Sequence, residues 1–416
     1  MSRILMLLTN EFAPDPRVAT EIETLIEAGH TVRLICWDRE TPAAGALPAR
    51  EMRHGGRLSI ERIHVPSTHG RGLSQTWRLV RFWRVAGRRA GDEPFDTIHA
   101  HDFDTWPLAW HLARRGLHRR AAAESRSNAA LVLDAHESYS DMMRGHLPGW
   151  ACRLIRRMED VLLPQADAVI TVGRRLAAEL TSRGARGVCV LPNCKRRADY
   201  QIEEEQRRAF RDEMNVAPEQ WTLGYVSHLG PERPVPAMIR AVAAEPRVVC
   251  IVGGDGHFAP ALREAAARHP NIRYLGRVPP RDVPRISACV DAIFCGFDPD
   301  NPNARFSAPN KLFEALAAGR PLLTGTYGEI GEIVSRHGCG VALPRFDEAE
   351  LARGLATLSD PAARAEMAIR SAELGRAQYD WDFVKGRLIE LYAALQRRSC
   401  CAKPGCANSL LASPTR

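Results

Sequence analysis

The chain has 416 residues and very little lysine: only Lys195, Lys311, Lys385 and Lys403 occur. Arginine therefore carries almost all of the positive charge, and the joint richness in Arg and Ala reads as coding bias. This weakens any argument from the arginines as a class and strengthens one from a single lysine in a special place. No run approaches the length of about eighteen apolar residues that a transmembrane helix needs. The opening Met-Ser-Arg-Ile-Leu-Met-Leu-Leu-Thr-Asn-Glu has an apolar stretch of strand length and lacks the small-residue cleavage pattern of a signal peptide, so a cytoplasmic protein is expected. There is no Cys-x-x-Cys pair among the eleven cysteines. Cys36, Cys250, Cys289 and Cys295 lie inside apolar runs, which points to buried reduced thiols rather than a zinc or disulfide framework. No zinc-finger or RNA-binding signature is present, so nucleic acid is not expected as a partner. The formal charge of +8 still suits anions such as nucleotide phosphates or a membrane surface.

What is present is a rhythm of strands and helices. Ile4 to Leu8 has the composition of a buried strand, Val18 to Ala28 has helical spacing with Gly29 as its stop, and Thr31 to Trp37 returns as a strand. Further strands are predicted at Thr97 to His101, Leu131 to Asp134, Ala168 to Val172 and Val188 to Leu191. Pro192 to Gln206 is the candidate linker. A second series follows at Thr222 to Val226, Val248 to Val252, Ile272 to Leu275, Ala292 to Cys295 and Leu322 to Thr324. The fold class is thus α/β, with two Rossmann-like doubly wound parallel-sheet domains facing a central cleft. The first covers 1–200 and the second 201–382. An amphipathic helix over 383–397 is placed to cross back to the first domain, and 398–416 reads as a disordered tail. Ligands in such sheets bind beyond the carboxyl ends of the strands, so the residues following each strand carry the chemistry.

The most informative segment is Ser307-Ala-Pro-Asn-Lys-Leu-Phe-Glu-Ala-Leu-Ala-Ala-Gly-Arg-Pro321. Ser307 can cap a helix, Pro309 suits its first turn, and Gly319 and Pro321 end it. Free amides at a helix N-terminus form a phosphate site. Lys311 adds a rare cation there, and Glu314, one turn further, can accept from ribose hydroxyls. The competing reading is a capped surface helix with an incidental lysine.

Pro309-Asn-Lys-Leu-Phe-Glu314 followed by Ala-Ala-Gly-Arg-Pro resembles the donor-site helix of the retaining glycosyltransferases of the family-4, or group 1, type, whose architecture is called GT-B. Asp15-Pro-Arg-Val18 with Glu21 and Gly29-His30 resemble that family's opening unit. His99-Ala-His-Asp102 and Asp134-Ala-His-Glu137 resemble its acceptor-side and catalytic strand ends. Ala166 to Val172 and Leu191-Pro-Asn193 look like the end of its first domain. Val252-Gly-Gly-Asp-Gly256 and Leu275-Gly-Arg-Val278 look like the nucleotide-contacting turns of the second. The resemblance implies His136, His101 and Asp102 as catalytic-side residues. It implies Arg233, His228, Gly254, Asp255, Val278, Asn310, Lys311, Leu312 and Glu314 as donor-binding residues. Two departures stand out. Phe306 occupies the first acidic position of the family's Glu-x7-Glu pair, so Asp298 or Asp300 would have to reach the sugar. His228 stands where the family has an arginine, Arg233 stands where it has a lysine, and Ser227 replaces a glycine.

The implied function is transfer of a sugar from a nucleotide-sugar donor to an acceptor, a glycan or lipid-linked glycan of cell-surface polysaccharide synthesis, with retention of anomeric configuration. No cofactor beyond the donor substrate and no metal is called for by the residues. A nucleotide-sugar epimerase on the same architecture and a non-catalytic sugar-nucleotide-binding protein are the alternatives. Arg71 to Arg89 has six arginines and no acid. Arg78, Arg81, Arg84 and Arg88 share one helical face, with Trp77, Val80 and Trp83 beside them. Such a helix suits peripheral contact with an anionic membrane on the inner face, or else packing of the aromatics on the sheet.

Overall fold

The apolar run Ile4–Leu8 is buried at every position, and it becomes a central strand of the first sheet. The computed structural model describes residues 1–12, 15–39, 47–67, 72–91, 93–120, 129–144 and 146–401. Its first sheet contains β1 (Arg3–Leu8), β2 (Thr31–Asp38), β3 (Arg50–Arg53), β4 (Leu58–His64), β5 (Thr97–His101), β6 (Ala130–Ala135), β7 (Ala168–Thr171) and β8 (Val188–Val190), in the order β3-β4-β2-β1-β5-β6-β7-β8. Every pairing is parallel except β3 with β4. β3, Arg-Glu-Met-Arg, has no apolar run, and β4 escapes the sequence pattern because Glu61 and Arg62 interrupt it. Both are nonetheless buried, since Arg33 pairs with Glu61 at 3.1 Å and Arg62 with Glu51 at 3.1 Å.

The second sheet is entirely parallel: β9 (Trp221–Val226), β10 (Val248–Gly253), β11 (Ile272–Tyr274), β12 (Ala292–Cys295), β13 (Leu322–Gly325) and β14 (Gly340–Leu343), in the order β11-β10-β9-β12-β13-β14. The sequence pattern does not announce β14 because it is short and led by glycine. Gly340 is required there, for a Cβ would sit 2.2 Å from Leu322 O. Between neighbouring parallel strands the chain runs back through helices, the arrangement that buries both faces of each sheet.

The predicted linker is more ordered than its composition suggests. A short 3-10 turn spans Arg197–Tyr200, and helix Glu204–Glu213 starts inside the predicted linker, held by a reciprocal cap between Glu203 and Gln206. The last helix also departs from expectation, running Trp381–Cys401 and so past residue 397. Nothing in Arg397–Cys401 breaks a helix; the first breaker is Pro404. The predicted tail beyond Cys401 lies outside the described residues. This helix packs on the first domain. Trp381 Nε1 donates to Thr24 Oγ1 at 3.1 Å, and the Tyr392 hydroxyl lies 2.7 Å from His99 Nδ1.

The basic segment forms helix Gly72–Ala90, and its aromatic residues divide. Phe82 is in the core, and Trp83 turns inward to donate Nε1 to Asp104 O at 2.8 Å. Trp77 faces outward with the Arg84 guanidinium over its ring. Arg81, Arg84, Arg88 and Arg89 are exposed, whereas Arg78 is half-buried. Arg71 lies outside the described residues.

Candidate active site

Parallel register brings the ends of β5 and β6 together, with His101 directly opposite Asp134. The two polar clusters that look separate in sequence are therefore one cluster in space. The chain turns sharply after β5, with Asp102 in the left-handed region at φ 59°. Its amide donates to Asp134 O at 2.8 Å, and its Oδ1 accepts from the His136 amide at 3.0 Å. Asp102 can tolerate this backbone because its side chain bonds locally.

His136 sits between two carboxylates. Its Nε2 is 2.9 Å from Asp134 Oδ2, and its Nδ1 is 3.2 Å from Asp102 Oδ2. Burial opposes a charged ring, but Asp102 and Asp134 overcome that and hold His136 well above the ordinary histidine range. The same charges act in reverse. Against the cost of burial, Arg17 and His136 hold Asp134 well below the usual carboxylate range. Arg17 grips both Asp134 oxygens, at 3.1 and 2.8 Å, in the forked geometry only arginine offers. Since both ring nitrogens of His136 face carboxylates, hydrogen bonding to a sugar hydroxyl would require it to release one of them. What the ring presents to the cleft in this arrangement is a fixed positive charge.

Beneath this layer lie Glu21, His99 and His101, all fully buried. One ligand atom from each of these and from Asp134 falls within 4.8 Å of the others. A metal does not fit the geometry well. The rings of His99 and His101 stack at 4.4 Å with planes 22° apart, so their lone pairs do not converge on one point. Arg17 already contacts both carboxylates, Glu21 at 3.1 Å. Glu21 instead holds a proton: burial first, and the charge of Asp134 second, push it up to about 8. Burial also keeps His99 well below the usual histidine range.

Across the cleft, the turn after β9 carries Ser227 and His228, and the turn after β10 carries Gly254, Asp255 and Gly256. The two turns touch. A Cβ on Gly254, at φ 135°, would lie 1.8 Å from Ser227 O, so only glycine fits there. His228 and Asp255 are exposed, and Asp255 Oδ1 accepts from the Gly256 amide at 2.8 Å. Arg233 is held by Glu232 at 3.2 Å, and its guanidinium carbon lies 3.8 Å from the Phe297 ring centroid. Val278 is half-buried against Gly253.

The signature helix spans Asn310–Ala318 and ends on Gly319 at φ 64°. Its N-cap is Pro309, and Ser307 does not cap it. Ser307 O instead accepts from the amides of Glu329 and Ile330, because the chain before Pro309 packs on the next helix. Lys311 Nζ donates to Glu314 Oε2 at 2.6 Å. Leu312 is a core residue with no exposed side chain, and its amide bonds to Pro309 O at 3.1 Å. Asn310 Oδ1 accepts from Lys195 Nζ at 2.8 Å. Phe306 is buried, while Asp298 and Asp300 sit in an exposed turn where Asp298 Oδ1 accepts from the Asp300 amide.

A cavity of about 470 Å³ lies between the two halves, lined among others by Arg17, Thr20, Lys195, Val278, Glu314 and Trp381. Other contacts also span the halves: Asn303 Nδ2 donates to Glu137 Oε2 at 2.8 Å and Asn193 Nδ2 to Ala308 O at 3.1 Å. Glu137 keeps an exposed side chain, and partial loss of hydration first, with the charge of Asp102 second, shifts its carboxyl upward. Arg17, Glu21, Lys195 and Glu137 are thus drawn into the site although the sequence reading did not assign them roles there. Arg17 and Glu21 did leave a signal, two opposite charges one turn apart on the apolar side of an amphipathic helix.

Comparison with known proteins agrees with this geometry. Residues 14–194 match the glycosyl transferase 4-like domain, and residues 222–360 match the glycosyl transferases group 1. The chain belongs to the group 1 glycosyltransferases, and it has the GT-B fold. A glycogen synthase of Mycobacterium tuberculosis is 25% identical over 312 residues, 73% of this chain and 69% of that protein. Among solved structures, a sucrose-phosphate synthase from Thermosynechococcus elongatus superposes with a TM-score of 0.76 at 15% identity, over 96% of this chain and all of that one. The Anabaena protein HepE, solved with UDP and glucose, superposes with a TM-score of 0.68 at 17% identity, over 95% of this chain and all of that one. The protein is a glycosyltransferase.

Proposed function

We propose that the enzyme moves a hexose or related sugar, with retention of configuration, onto a glycan or lipid-linked glycan of the cell surface. The observation that carries the reading is the confrontation across one cleft of two unlike ends. The first domain offers His136 between Asp102 and Asp134. The second offers Arg233, the tight glycine turns and the N-terminus of Asn310–Ala318 with Lys311. A diphosphate suits the cationic side, and a hydroxyl-rich acceptor suits the other. UDP and glucose bound to HepE support a nucleoside-diphosphate sugar as donor.

In this reading the C1–O bond to the diphosphate breaks, and the acceptor oxygen bonds to C1 on the same face. The acceptor proton passes to the departing phosphate oxygen. Arg233, Lys311 and the helix amides stabilise charge developing on that oxygen, and Glu314 orients the ribose. His136, held cationic, shapes the field at the reacting centre. No helix of the described residues is long and apolar enough to cross a membrane. A cytoplasmic enzyme that touches the inner membrane face through the arginines of Gly72–Ala90 fits the exposed cations there.

The test is a thermal-shift screen with UDP, GDP and ADP, followed by transfer from a radiolabelled nucleotide sugar to extracted membrane lipids. Binding to the folded state raises the melting temperature. If no nucleoside diphosphate raises it, the donor assignment is wrong. Label entering only free nucleotide and sugar would remove the acceptor assignment.

A further inference from the structure

Helix Gly149–Leu162, which follows β6, turns an apolar stripe outward. Trp150 is 57% exposed, Leu154 53%, Met158 39% and Val161 68%. Their spacing places all four along one line of the helix surface. Beside this line stand Arg153 and Arg157, both exposed, and among the described residues neither meets a carboxylate. The helix's own acids are engaged elsewhere, Glu159 and Asp160 with Arg183 at 2.8 and 2.7 Å. The outward surface is therefore apolar along its centre and cationic along its flank. A contiguous exposed patch of this kind marks an interaction site.

We infer that this stripe is a second point of contact with an anionic lipid surface, an inference that rests on the membrane reading of helix Gly72–Ala90. The topology supplies the argument. The connections β4 to β5 and β6 to β7 run in the same direction across the sheet. Right-handed crossovers then place both helices on one face of it. Each helix begins at the carboxyl edge of the strands, the edge that holds His136. Trp77, 65% exposed in the second turn of one helix, and Trp150, in the first turn of the other, are thus brought to the same face and toward the same edge. Amphipathic rings flanked by arginine suit the headgroup zone of an anionic bilayer. The flanking arginines would repel the same face of a second copy, so a lipid surface suits this stripe better than self-association. Docking at two points would hold the cleft beside the bilayer, where the hydrophilic head of a lipid-linked acceptor could enter next to His136 and Glu137.

The experiment is co-sedimentation of the full chain with phosphatidylcholine vesicles, with and without phosphatidylglycerol. Wild type is compared with Trp150→Ser/Leu154→Ser/Val161→Ser and, separately, with Arg78→Glu/Arg81→Glu. The expected result is binding to the anionic vesicles only, weakened about tenfold or more in the triple variant at unchanged melting temperature. If the triple variant does not fold, quenching of tryptophan fluorescence by brominated lipid is measured for wild type and Trp150→Phe, and should fall in the latter. Equal binding by wild type and triple variant, with loss in the arginine variant, overturns the stripe and leaves the first helix standing. No vesicle binding by wild type overturns both. A wild-type dimer that the triple variant abolishes, without vesicle binding, assigns the stripe to self-association and overturns the inference.

Discussion

The ammonium of Lys195, in the segment joining the two sheets, donates to Asn310 Oδ1 at 2.8 Å in the first turn of the signature helix. Burial lowers the Lys195 pKa below the usual lysine range. Its position beside Glu314 in the central cavity couples the link between the domains to the donor end of the site. Lys195→Met should therefore weaken UDP binding by about tenfold, the value of one charge-assisted hydrogen bond of about 1.5 kcal/mol. Calorimetry with UDP measures this, and equal affinity in parent and variant would confine Lys195 to a structural link.

Lys311 and Glu314 are paired with one another at 2.6 Å, so removing either leaves its partner in the site without its neighbour. Lys311→Ala and Glu314→Ala should each lower nucleotide affinity by roughly ten- to hundredfold, or about 1.5–3 kcal/mol. The fold should survive, because the apolar face of Leu312, Phe313 and Leu316 is untouched. Unchanged binding in both variants would take this helix out of the donor site.

His136→Ala should lower the transfer rate on the order of a hundredfold while leaving UDP affinity nearly unchanged, because a fixed charge acting in the transition state affects turnover rather than binding. Asp102→Asn is expected to reduce the rate less, since Asp134 still holds the ring through the shorter contact, 2.9 Å. Steady-state kinetics on both variants would show it. A rate in His136→Ala within about threefold of the parent would make the ring a structural partner of the carboxylates.

Glu21 makes the stability depend on pH in a defined direction. Its folded-state value of about 8 lies above the ordinary 4.5, so the folded chain keeps a proton that the unfolded chain releases. Its contribution is fully present below about pH 4.5 and is lost as pH rises toward 8, by up to about 1.4 kcal/mol per pH unit. His136, also raised, acts in the same direction at higher pH. Thermal melting from pH 5 to 8 should show stability falling more steeply in the parent than in Glu21→Gln, whose amide has no proton to lose. Parallel slopes would mean that Glu21 is ionised in the folded state.

Much of this was written in local sequence. Eleven strands could be read from short apolar runs because parallel sheets bury both faces of their strands. The signature helix could be read from Pro309 near its start and from Gly319 and Pro321 at its end, since start and stop residues act on their immediate neighbours, although Ser307, read as its cap, does not cap it. The left-out strands, β3, β4 and β14, failed the same test for identifiable reasons: β3 has no apolar run, Glu61 and Arg62 of β4 are buried only because partners from other segments neutralise them, and Gly340 has no side chain to signal its burial. The tertiary structure alone decided the electrostatics of the site. His136 owes its charge to Asp102, which is 34 residues away, and to Asp134, which Arg17 grips from 117 residues away. The proton on Glu21 depends on burial beneath a helix that returns from the end of the chain, whose Tyr392 meets His99 across 293 residues. A residue type states what a group can do. Its charge state and direction depend on the local dielectric and on the neighbouring charges, and those exist only once distant segments have packed.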